Sequence, residues 1–200
     1  MIFITVGGLS IDFPTGEGES GISYFVATED YLVHKCQTSN PDLYMYSYYG
    51  HTGPIYRVRC NPFWHVSECP IFLTCSYDWT IKIWNAEETT PKLTCCQMSG
   101  EILRDQVNDV QWNPNTSSCF ASVSKDGRIE VWDLAINELN PVITHFDTAP
   151  GGDEDSRDAT EKTIVRFSAN PQTPVLLTGN VNGQVDVYRM KGLQHVQVSD

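Results

Sequence analysis

Positive charge is scarce in this 200-residue chain: 13 Lys and Arg stand against 25 Asp and Glu, a formal net charge of −12. Binding to phosphate backbones needs a basic stripe, so nucleic acid is not expected as a partner. No CxxC pair occurs. The seven cysteines (Cys36, Cys60, Cys69, Cys75, Cys95, Cys96 and Cys119) are odd in number and, like the five histidines His34, His51, His65, His145 and His195, show no zinc-ligand spacing. Without a secretory leader, reduced thiols and a cytosolic or cytosol-continuous compartment are expected. Met1 to Val6 is apolar but short and lacks a basic flank, so it reads as a strand or a ragged end, and no membrane association is expected. A Walker-type phosphate loop is missing. No segment sustains a 3.6-residue apolar period, which leaves helical and α/β folds unsupported.

What is present is an ordinary globular composition, 40% hydrophobic and 19% charged, enough for one compact unit. Thr74-Cys75-Ser76-Tyr77-Asp78-Trp79-Thr80-Ile81-Lys82-Ile83-Trp84-Asn85 joins a short apolar run, a tight turn at Asp78 and an alternating strand ending in Trp84. The same order returns from Ser122 to Asp133 and from Thr178 to Arg189. Asp30 and Asp78 are 48 residues apart, as are Asp78 and Asp126, and Asn182 follows after 56. Four short strands per repeat at this period are the pattern of β-propeller blades, sheets that bury their faces only by stacking on neighbours. The expected fold is therefore all-β, with about four blades near residues 9–48, 50–97, 103–146 and 163–198 forming an open, incomplete propeller. The extra eight residues fall in the acidic loop 150–161, expected to be mobile on the surface.

Individual strands are expected at Ser10 to Phe13, Ile22 to Thr28, Leu32 to Cys36 and Leu43 to Tyr48 in the first unit. The second has Ile55 to Cys60, Ile71 to Ser76, Thr80 to Trp84 and about Lys92 to Gln97. The third has Val107 to Trp112, Cys119 to Ser124, Arg128 to Trp132 and Val142 to Phe146. The fourth has Ile164 to Ser168, Val175 to Thr178, Gln184 to Tyr188 and a segment at His195 to Val198.

Gly50-His51 ahead of a strand, and the Asp-to-Trp spacing, resemble the WD-repeat family. The resemblance implies a hydrogen-bonded chain through His51, Thr74, Asp78 and Trp84, a buried polar network that fixes the blade and does no chemistry. The third blade retains Ser122, Asp126 and Trp132, with Leu103 in the place of the His, so its network is expected to be incomplete. The fourth has Thr178, Asn182 and Tyr188, and the first has Asp30 but Cys36 in place of Trp. A hydrolase using His51 and Asp78 is the enzymatic alternative; it requires both side chains to face solvent, and no nucleophile elbow or oxyanion loop accompanies them.

Gly16-Glu17-Gly18-Glu19-Ser20-Gly21 satisfies GxGxxG literally, but no helix follows and its glutamates would repel a pyrophosphate. No cofactor is expected. Asn115-Thr116-Ser117 is a glycosylation sequon that reads as a turn after Asn113-Pro114. Two features are candidates for protein binding: Phe63 and Trp64 in a lengthened loop, which either anchor a partner or tuck against their own blade, and the run Tyr44, Tyr46, Tyr48 and Tyr49 on an outer strand, with Tyr46 and Tyr48 singled out.

Beyond the generic blade, Ala27-Thr28-Glu29-Asp30-Tyr31-Leu32-Val33-His34-Lys35-Cys36, the stretch Leu73 to Trp84 and the stretch Arg128 to Leu134 resemble axonemal dynein intermediate chains, across about residues 9 to 190. The resemblance implies a non-catalytic subunit whose propeller docks on a dynein heavy chain with a second intermediate chain and other dynein subunits, in the axoneme of a cilium or flagellum. The last blades look more like the inner-arm version. A general WD-repeat adaptor in another assembly is the alternative. Propellers of this family have about seven blades, so the chain is expected to be a C-terminal portion or short isoform, with uncovered end faces that favour aggregation.

Overall fold

The computed structural model describes residues 7–14, 22–40, 43–64, 70–95, 105–146, 160–172 and 174–190. Every regular element among them is a β-strand, and each strand pairs antiparallel with its sequence neighbour. Sheet 1 contains β1 (Gly8–Asp12), β2 (Ser23–Thr28), β3 (Val33–Gln37) and β4 (Tyr44–Tyr48); sheet 2 contains β5 (Ile55–Cys60), β6 (Ile71–Ser76), β7 (Ile81–Asn85) and β8 (Leu93–Cys95). Sheet 3 contains β9 (Val107–Trp112), β10 (Cys119–Ser124), β11 (Arg128–Asp133) and β12 (Ile143–Phe146). Sheet 4 has β13 (Lys162–Phe167), β14 (Val175–Asn180) and β15 (Val185–Arg189). The segments at 1–6, 16–21 and 195–198, and all of the 150–161 loop before Thr160, lie outside the described residues.

Burial follows from position. The second strands of the two inner sheets touch neighbours on both faces and are almost wholly buried, as β10 is throughout, whereas the outer β12 is exposed along its length. Three apolar layers separate the sheets. Phe25, Ala27, Val33 and Tyr48 meet Phe72 and Trp84 between sheets 1 and 2. Leu73, Cys75, Ile81 and Ile83 meet Trp112 and Phe120 between sheets 2 and 3, and Ala121, Val123, Ile129 and Val131 meet Val165 and Leu176 between sheets 3 and 4. Phe72 stacks on Trp84 with ring centroids 5.9 Å apart, and Phe120 on Trp132 at 5.8 Å, so successive sheets repeat one packing solution.

The first strands β1, β5, β9 and β13 lie side by side about the centre, each packed on the next. They are not hydrogen-bonded to one another as a ladder, and side chains supply partners for their free edges instead. Ser10 Oγ accepts from Val58 N (3.3 Å) and Asp12 Oδ2 from Cys60 N (2.7 Å). Trp112 Nε1 donates to Arg59 O at 3.0 Å. The fully buried Asp109 takes Val165 N on Oδ2 at 3.1 Å and also accepts from Arg57 Nε (3.1 Å) and Arg166 Nη1 (3.0 Å), joining three sheets through one carboxylate.

Successive sheets are fastened at their outer strands as well. Tyr48 Oη donates to Ala86 O at 2.8 Å and Tyr49 N to Thr89 O at 2.9 Å, tying the end of β4 to the loop after β7. The two terminal sheets each have one uncovered face. Ile11, opposite Val26 in the register, occupies the place that the fully buried Val58 and Val110 hold in sheets 2 and 3, yet is 55% exposed. Val185 and Val187 correspond to the buried pairs Ile81 and Ile83, and Ile129 and Val131, yet are 67% and 66% exposed. The architecture is an open arc of propeller blades.

Candidate functional site

Sheet 2 brings His51, Thr74, Asp78 and Trp84 into one chain of hydrogen bonds. Trp84 Nε1 lies 2.8 Å from Thr74 Oγ1, Thr74 Oγ1 2.7 Å from His51 Nε2, and His51 Nδ1 2.8 Å from Asp78 Oδ2. The donor inventory fixes its direction. An indole N–H can only donate, so the Thr74 oxygen accepts it and points its own proton at His51 Nε2; Nδ1–H then donates to Asp78. Asp78 also accepts from Thr80 Oγ1 (2.6 Å), Thr80 N (3.0 Å) and Thr52 N (2.9 Å). Burial raises the Asp78 carboxyl, but the bonds from His51, Thr80 and Thr52 outweigh it and hold the group well below the usual carboxylate range. Burial lowers the His51 imidazole, only partly offset by Asp78, so the ring is neutral at pH 7.

Local sequence explains the placement. A Cβ on Gly50 would lie 3.1 Å from Pro91 and 3.3 Å from Trp84, so a side chain before His51 would press the proline ring and the indole apart by a few tenths of an ångström, and glycine lets the chain pass over the indole without that shift. The His51 side chain is 0% exposed and that of Asp78 6%. The hydrolase alternative needs both to face solvent; sealed in this way they cannot meet a substrate.

The other sheets use different partners. In sheet 3, Trp132 Nε1 reaches Ser122 Oγ at 3.3 Å, while Asp126 is paired with the buried Arg128. Arg128 also reaches Glu130 (3.4 Å) and lies over the Phe146 ring. In sheet 4 the Thr178 hydroxyl is buried with no hydrogen-bond partner among the described residues, and the fully buried Lys162 pairs with Asp186 at 2.7 Å. Sheet 1 has His34 Nδ1 against Ser47 Oγ at 2.9 Å. Leu103 lies outside the described residues.

The binding candidates divide. Trp64 is buried, its ring 5.6 Å from Phe25 in the layer between sheets 1 and 2, and Tyr48 is buried with its hydroxyl committed to Ala86. Neither presents a docking surface, because the first interlayer needs their area. Phe63 is half-buried, with its N–H on Asn61 Oδ1. Tyr46 is 49% exposed, beside exposed Tyr44 and Met45. The sequon is a turn, with Asn115 N on Asn113 Oδ1 at 2.9 Å. His65, His195, Cys69, Cys96 and Gly16 to Gly21 lie outside the described residues. Among the described residues no three His, Cys, Asp or Glu gather as metal ligands. A cavity of about 260 Å³ opens among the first strands, lined by Tyr56, Arg57, Asn108 and Glu161. Its side chains already bond within the protein: Tyr56 to Gln106, Arg57 to Asp109 and Asn108 to Glu161.

Sequence reasoning did not single out Asp109 or Arg128. Asp109 carried a signal, an acid alternating with buried apolar positions on a first strand. Arg128 carried another, since an Asp126 without a His to donate to it needs a different donor.

The family model for the WD domain, G-beta repeat, matches residues 43–85 and 94–133. The first match starts just before β4 and the second within β8, and each closes on the third strand of the next sheet; Tyr48 and Tyr49 tie the first of these spans together. Human dynein axonemal intermediate chain 4 is 36% identical over 173 residues, 86% of this chain and 18% of that one. The zebrafish (Danio rerio) protein of the same name is 33% identical over 93% of this chain and 21% of its own length. A flagellar outer-arm 70 kDa dynein intermediate chain from Chlamydomonas reinhardtii is 31% identical over 70% and 24%. This chain thus spans about a fifth of the length of these relatives. The crystal structure of the computationally designed Ika4 protein superposes with a TM-score of 0.62 at 15% identity, covering 94% of this chain and 93% of the other, a likeness of fold alone. With its repeated sheets, the sealed His51 chain and these identities, the protein is a WD-repeat protein resembling the axonemal dynein intermediate chains.

Proposed function

We propose that the chain is part of a non-catalytic scaffold subunit of an axonemal dynein complex, docking on a dynein heavy chain beside a second intermediate chain and other dynein subunits. Its place is the cytoskeleton of a cilium or flagellum, and its contribution is to motility. The observation that carries this reading is the 33–36% identity to dynein axonemal intermediate chain 4 over most of the chain. The enclosure of His51 and Asp78 supports a scaffold over an enzyme, because the most reactive-looking side chains serve the packing. Among the binding candidates Tyr46 is the one with area to offer, together with Tyr44 and Met45.

Tagged full-length chain expressed in ciliated cells should recover dynein heavy chain, identified by mass spectrometry, and Tyr46→Ala should reduce that recovery. Recovery of an unrelated complex without heavy chain would overturn the dynein reading in favour of a general WD-repeat adaptor.

A further inference from the structure

The connection between the second and third strands places one residue in the left-handed region in every sheet: Tyr31 (φ 70°), Trp79 (φ 70°), Gly127 (φ 79°) and Gly183 (φ 80°). In three of them its N–H returns to the carbonyl three residues earlier, Trp79 to Ser76, Gly127 to Ser124 and Gly183 to Asn180. This is a tight turn closed by a bulge, a position suited to glycine. Sheets 3 and 4 have glycine there. Sheets 1 and 2 have aromatic residues, for which the same backbone is strained.

The fold receives little in return. Tyr31 is 45% and Trp79 49% exposed, and among the described residues neither side chain makes a hydrogen bond or ring contact. Tyr77, two residues before Trp79, is also exposed, as is Tyr49 where β4 ends on the same side of sheet 1. Both turns open on one face of the arc, because each joins the same pair of strands in adjacent sheets. Glu29 and Asp30 are exposed beside Tyr31, and neither turn carries Lys or Arg.

We infer that this face docks a Lys- or Arg-bearing segment of a partner protein, its cations lying on the rings of Trp79, Tyr77 and Tyr31 and pairing with Glu29 and Asp30. Ring faces are electron-rich and attract cations, and carboxylates beside them add charge of the right sign. The net charge of −12 draws such a segment toward the chain. This assignment stands independently of the dynein reading and uses a surface separate from Tyr46.

The test uses the full chain with two labelled nonapeptides, one alternating arginine with glycine and one alternating glutamate with glycine, at about 150 mM salt to suppress diffuse attraction. The arginine peptide should bind and the glutamate peptide should not. Trp79→Gly and Tyr31→Gly should each weaken binding about three- to tenfold, while the urea midpoint stays level or rises because glycine relieves the turn. Trp79→Phe should retain most of the binding. Binding indifferent to both glycine variants, a lowered urea midpoint in both, or equal binding of the glutamate peptide would each overturn the assignment.

Discussion

The hydroxyl at the centre of the His51 chain can be removed at equivalent places in three sheets, and the three costs should differ. Thr74→Val keeps the shape but strands two buried groups, the Trp84 N–H and His51 Nε2, which now bond to Thr74 at 2.8 and 2.7 Å. At about 1–3 kcal/mol for each of the two buried groups left unpaired, the loss is about 2–6 kcal/mol. Ser122→Ala strands only the Trp132 N–H, held at 3.3 Å, and should cost about 1 kcal/mol. Thr178→Val strands nothing among the described residues, where that hydroxyl is buried without a partner, and should be neutral or stabilise by up to about 1 kcal/mol. Urea unfolding followed by tryptophan fluorescence reads the three midpoints, with unchanged m-values establishing that stability alone has moved. Equal shifts at the three positions would refute the reasoning, because they would mean that the hydroxyl's partners do not set its value.

Acid should destabilise the chain through two of its buried histidines. Burial lowers the imidazoles of His34 and His51, so the unfolded state takes up their protons first as pH falls below about 6.5, and stability drops by up to about 1.4 kcal/mol per pH unit for each. Asp78, held low, adds its own loss only below its unfolded pKa of 3.8, while Asp12, raised by burial, works in the opposite sense. Urea midpoints that stay flat from pH 7.5 to about 5.5 would contradict this. Asp109→Ala should cost about 2–4 kcal/mol, discounted because Arg57 and Arg166 are partly exposed and can turn to water; hydrogen exchange should show sheet 4 losing protection most. Gly50→Ala drives a methyl to within 3.1 Å of Pro91 and 3.3 Å of Trp84, and should lower stability by about 1–3 kcal/mol in the same urea assay.

What could be read from the sequence was whatever repeats locally. Ile71 to Ser76 and Cys119 to Ser124 are largely apolar runs closed by turn residues, and Val107 to Trp112 mixes apolar and polar positions before Asn113-Pro114; they are β6, β10 and β9. Thr74, His51, Asp78 and Trp84 could be named together because the resemblance to the WD-repeat family implies that chain within one repeat. Other features depend on which strands meet. Asp109 reaches Arg166 across 57 residues, and no periodicity reports that distance. Trp64 has the residue type of an interface anchor, but its burial depends on Phe25 being opposite. Tyr44 to Tyr48 alternates no faces in practice, since Tyr44, Met45 and Tyr46 are all exposed and Ser47 and Tyr48 both buried. An outer strand twists away from its neighbour, so its burial follows the next sheet and not the period of two.

The uncovered Ile11 on one end face and Val185 and Val187 on the other give the arc the thermodynamics of a short chain of coupled units. Four sheets in a line share three interlayers, whereas a closed ring has as many interlayers as sheets. Stability then approximates a sum of single-sheet terms and nearest-neighbour couplings, and the missing coupling falls wholly on the two ends. Opening should begin at sheets 1 and 4 and run inward, leaving the layer between sheets 2 and 3, which holds Trp112, Phe120 and Trp132, as the last to exchange its amides.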